Sequence, residues 1–141
     1  MNLAGPALPG AALAAPIRMV DSVTQLGSLD VGCVAVTGSH GGISSARYAL
    51  AARPSLSIFN DAGVGRDRAG MAALAFLDGH GLAACTVSHT SARIGDSRST
   101  LEDGIISHAN LVAQAAGLAD GQTCADAIQL FWRQSCPSRP A

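Results

Sequence analysis

The chain contains no lysine; its nine cationic side chains are all arginine. A Schiff-base amine and a Walker-type phosphate loop both need that lysine and are excluded. Charge of either sign is scarce, at 13% of 141 residues, roughly half the share in an ordinary domain. Net charge is −1 and no basic run interrupts the sequence, so nucleic acid and anionic membrane are not expected partners. No apolar run approaches the length of a membrane span. No C-x-x-C motif joins Cys33, Cys85, Cys124 and Cys136, which removes zinc ribbons and a disulfide framework. Reduced thiols in a cytoplasmic protein are expected. The G-x-G-x-x-G fingerprint of dinucleotide sites and the G-x-S-x-G nucleophile elbow are also missing.

What the chain has is apolar residues, 48% of the total. One domain of this length buries about two thirds of its unfolded surface. With so few charges, apolar surface is left over, and a homo-oligomer is the expected outlet. Residues 1–16, rich in Ala, Gly and Pro, read as an N-terminal arm without the basic start of a signal peptide. Residues 17–134 read as a single α/β domain, and 135–141 as a disordered tail.

Short apolar runs alternate with helical segments. Strands are expected over 31–37, 56–59 and 82–87, each mainly apolar as in a strand buried on both faces. Helices are expected over 43–52, 69–77, 107–116 and 123–133, with Ser107 as an N-cap. Residues 17–26 fit either strand or helix, Ile105 and Ile106 offer a short further strand, and 97–104 hold one helical turn. Such alternation implies a small three-layer αβα domain with a mainly parallel sheet of three to five strands, Rossmann-like or flavodoxin-like.

Three of the four histidines follow a serine: Ser39-His40, Ser88-His89 and Ser107-His108. The first two stand at strand exits, where α/β domains bind ligands. Gly41 and Gly42 follow His40 and let the backbone approach a ligand. A helix start there adds unpaired N–H donors suited to an anion or oxyanion. The exit between them carries Asn60 and Asp61. A carboxylate closing a buried strand is either paired or used; a self-contained Asx-turn is the plainer reading.

The third exit, residues 88–96, brings His89, Ser91, Arg93 and Asp96 together in one segment. Arg93 suits a fork-shaped grip on a carboxylate; an Arg93–Asp96 pair would instead serve the loop alone. His108 reads as the solvent-facing first turn of a capped helix.

Three chemistries fit. One is a serine (Ser39, Ser88 or Ser91) activated by histidine and oriented by Asp61. Another is a divalent metal on His40, His89 and Asp61, which no H-x-x-x-H pair anchors. The third needs no cofactor. His40, Asp61 and His89 move protons while Ser39, Gly41, Gly42, Asn60, Ser91, Arg93 and Asp96 hold a small anionic metabolite. The sequence therefore points to a hydrolase or lyase acting on a carboxylate- or amide-bearing small molecule. The same loops binding an anion without reaction, in a sensor or a subunit of a larger complex, is the alternative.

Overall fold

The computed structural model describes residues 15–135. Of the expected arm, Ala15 and Pro16 are tied down: the Trp132 indole donates to the Ala15 carbonyl and the Val34 N–H to that of Pro16. Residues 1–14 and 136–141 lie outside the described residues, so neither the rest of the arm nor most of the tail is seen.

Five strands form one sheet: β1 (Ile17–Val20), β2 (Val34–His40), β3 (Leu56–Asn60), β4 (Ala83–Val87) and β5 (Ile106–Ala109). Their spatial order is the order of the chain. β1 to β4 are parallel and β5 is antiparallel to β4. Helices α1 (Ile43–Ala52), α2 (Ala72–Asp78), α3 (Ser97–Asp103), α4 (Leu111–Ala115) and α5 (Cys124–Ser135) surround it.

Strand order decides where the helices go. Each parallel step moves to the next position in the same direction, and right-handed crossovers then all fall on one face. Accordingly, α1 and α2 share one core with Phe59, Ala84 and Val23. The opposite face, carrying Val34, Val36, Leu56, Ile58, Ala83, Cys85 and Val87, is covered by chain that follows β4. Three layers result, as the alternation implied. Sequential order contains no reversal, unlike the doubly wound Rossmann and flavodoxin orders, so the likeness to those folds lies in the layering.

Local chemistry explains the elements. Buried Ala46, Ala49 and Ala52 give α1 a flat face at threefold spacing, and the helix stops at left-handed Arg53 before Pro54. Every residue of β3 and β4 is buried, matching their mainly apolar runs. β2 runs on through Ser39 to His40 with a register irregularity after Val36. Gly38 is part of the strand rather than a break in it.

Two regions differ from expectation. Residues 106–109 are strand, and Asn110 rather than Ser107 caps the following helix, accepting the Ala113 N–H. Pairing of His108 with Thr86 in β4 overrides the local helix signal. Residues 97–103 form the two-turn helix α3, with Asp96 at its N-cap accepting the Ser99 N–H. In the open segment 17–26, β1 is followed by a 3-10 turn over Val23–Gln25.

Candidate functional site

The sheet register sets His40, Asn60 and Val87 in one row across the carboxyl ends of β2, β3 and β4. The three expected exits are therefore neighbours. The segments around Gly38 and Gly95 touch directly: the Gly95 N–H donates to the Gly38 carbonyl at 2.7 Å. A Cβ on Gly38 would run into the Asp96 and Asp21 backbone. Main chain closes the space between those segments there.

Asp61 is the most heavily engaged group in this row. It is buried, and Oδ1 accepts the Gly63 N–H at 2.8 Å and the His89 N–H at 3.1 Å. The first bond makes the expected Asx-turn; the second joins the β3 exit to the β4 exit. Nδ1 of His89 lies 3.5 Å from the same oxygen, and the His89 side chain is 56% exposed. Burial pushes the Asp61 carboxyl up. The Gly63 N–H, the Ser107 hydroxyl, the His89 N–H and the His89 ring outweigh it, holding the group below its ordinary value. Asp61 is thus a fixed anion. An ionised carboxylate only accepts, so it favours the His89 tautomer with the proton on Nδ1 and the lone pair on Nε2.

The His89 ring lies over Gly63, whose φ is +75°. A side chain at Gly63 would be strained by that backbone, while meeting the imidazole only at ordinary van der Waals distance. Glycine is needed at this position for the turn.

The chain matches no family model, and no curated protein or solved structure is detectably similar to it. The assignment of roles rests on geometry alone.

His40 stands apart. It is exposed and forms no hydrogen bond or ion pair among the described residues; its ring rests against Gly42. With Ile43, Val64 and Ala69 it lines a small cleft of about 400 Å³. His40, Asp61 and His89 are not assembled as one three-ligand set, and among the described residues no group of three His, Cys, Asp or Glu is placed to hold a metal.

Several polar residues expected to touch substrate are engaged by the fold. The Ser39 hydroxyl accepts the Val23 N–H at 2.9 Å. Fully buried Asn60 donates to the Ala92 carbonyl at 3.0 Å and accepts the Ala62 N–H, latching the 88–96 segment to β3. Ser91 donates to the Ser88 carbonyl and accepts the Ile105 N–H. The Gly41 N–H is taken by the Asn60 carbonyl. Gly42 is the N-cap of α1. Arg93 is exposed with its guanidinium unpaired among the described residues, and no ion pair joins it to Asp96.

Ser107 joins the site unforeseen. At the start of β5 its hydroxyl lies 2.8 Å from Thr86 Oγ1, with the Thr86 carbonyl at 3.4 Å and the Asp61 carboxylate also within reach. The charged carboxylate is the stronger acceptor of the two. The signal for this was Thr86, a polar residue in an otherwise apolar buried strand, which has to find a partner.

Proposed function

We propose that this protein is an enzyme, a hydrolase or lyase that works by acid–base chemistry on a small carboxylate- or amide-bearing molecule. His89 is its proton-transfer group and Asp61 the carboxylate that orients it. The observation that carries this reading is the pair itself: a buried anion at a strand exit facing an exposed imidazole across 3.5 Å. With Nδ1 turned to the carboxylate, Nε2 takes a proton from a substrate and returns it to a leaving group. A gap of this length in a ligand-free site shortens as the substrate docks. Arg93, exposed and four residues on from His89, is the anchor for the anionic end.

Turnover tests this directly. Purified protein is screened against p-nitrophenyl esters and small amides for hydrolysis, and against hydroxy acids for elimination. On the compound turned over, His89→Gln lowers kcat/KM by about 100-fold or more. Asp61→Asn lowers kcat more than it raises KM, because it disturbs the tautomer rather than the seat. Unchanged turnover in both variants refutes the assignment.

The reading places the protein in the cytoplasm, which suits the free, buried thiols of Cys33, Cys85 and Cys124. Among the described residues no helix is long and apolar enough to cross a membrane. The proposed homo-oligomer has a suitable surface at the β1 edge. Ile17 and Met19 are partly exposed there, beside Leu29 and Val31, with the Arg18–Asp30 ion pair joining the two segments. Among the described residues β1 pairs only with β2, which leaves its outer edge to a second copy of the same strand.

A further inference from the structure

A cavity larger than the His40 cleft lies beside β5. It is a groove of about 1070 Å³ between α2 on one side and β5, α4 and the 117–120 turn on the other. Its origin is topological. The crossovers on that face, α1 and α2, serve β2 to β4, and no further parallel strand follows to bring a helix over β5. The volume is at the upper end for small-molecule sites and far beyond a packing void.

Its walls are chemically mixed. Met71 and Leu111 are apolar, whereas Arg68, Ser107 and His108 are not. The Arg68 guanidinium has only the Met71 sulfur, at 3.7 Å, as a partner among the described residues, so its charge is left for a ligand. His108 is also a wall of the groove; its Nδ1 has no hydrogen bond among the described residues but is shielded from the groove itself.

Two carboxylates line the groove as well. Asp78 already accepts the Val112 N–H at 3.0 Å. Asp120 belongs to the 117–120 turn.

We propose that this groove is a binding site for an amphipathic carboxylate, with its head at Arg68 and its apolar body along Met71 and Leu111. Ser107 lines the groove and also serves Asp61, so the groove adjoins the acid–base pair. Binding at Arg68 is read without turnover and stands or falls independently of that pair.

The test uses the fluorescent anion 1-anilinonaphthalene-8-sulfonate, with octanoate and octylamine as competitors. The probe binds at one site, and octanoate displaces it while octylamine does not. Arg68→Gln weakens binding roughly tenfold, the loss expected for a charge-assisted contact. Ala75→Trp, which fills the groove from an exposed position on α2, abolishes binding while the far-ultraviolet circular dichroism stays native. Binding unchanged in Ala75→Trp places the probe elsewhere, such as the apolar β1 edge, and overturns the proposal. Displacement by octylamine in place of octanoate overturns the carboxylate assignment.

Discussion

The Gly63 and His89 N–H groups converge on Asp61, and their effect on stability has a definite sign. The folded carboxyl sits below its unfolded value. Its contribution is therefore complete above the ordinary Asp range, near pH 4, and is lost as pH falls through the lower folded value. Asp61→Asn should cost about 1–3 kcal/mol at pH 7, and the gap to the parent protein should narrow as pH falls below about 4. Urea denaturation of both proteins above and below that pH checks this; a gap that widens in acid contradicts it. At this scale the sequence was informative about Asp61 and His89, since polar residues closing apolar strands had to be paired or used. It was less so about Ser39, Asn60 and Ser91. Their hydroxyls and amide answer the backbone of distant segments, a demand visible only once the chain is folded.

Among the elements, the stretch after α3 shows most plainly how tertiary pairing outranks local signals. Ser107 looks like a cap, yet Asn110, three residues on, performs that role and more. Its amide donates to the Leu74 and Leu82 carbonyls and accepts the Ala84 and Ala113 N–H groups. One side chain thereby clamps α2, β4 and the start of α4. Asn110→Ala should cost about 2–4 kcal/mol, because buried backbone groups lose their partner along with the cap. The denaturation midpoint measures it, and a loss below about 0.5 kcal/mol would mean that the clamp is redundant. The strands β2, β3 and β4 and the helices α1 and α5 were legible because their apolar patterns are long and consistent. β5 was legible only at its start, at Ile106, since a four-residue strand at a sheet edge is specified by its neighbour rather than by its own composition.

For the whole molecule, scarcity of charge becomes a question of assembly. Leu29 is 98% exposed, and it adjoins the outer edge of β1 through the Arg18–Asp30 pair. If copies associate through that edge, Met19→Glu and Leu29→Glu together should shift the protein from dimer to monomer in light scattering after size exclusion. A parent protein that is monomeric at high micromolar concentration, or a dimer indifferent to both changes, rules the edge out. The three-layer architecture was predictable from the alternation of elements. The strictly sequential strand order was not, because apolar runs of similar character do not announce their neighbours.

That order has a consequence for how the protein is made. A sheet whose neighbours in space are neighbours in sequence can be laid down strand by strand as the chain leaves the ribosome, with none inserted between two already placed. One side of it is finished early, since α1 and α2 arrive between the strands they cover. The other side, from Val34 to Val87, has its cover encoded mainly in the last third of the chain, in α3, α4 and α5. For much of its synthesis the nascent sheet is therefore greasy on one side, a state that invites chaperones and aggregation alike.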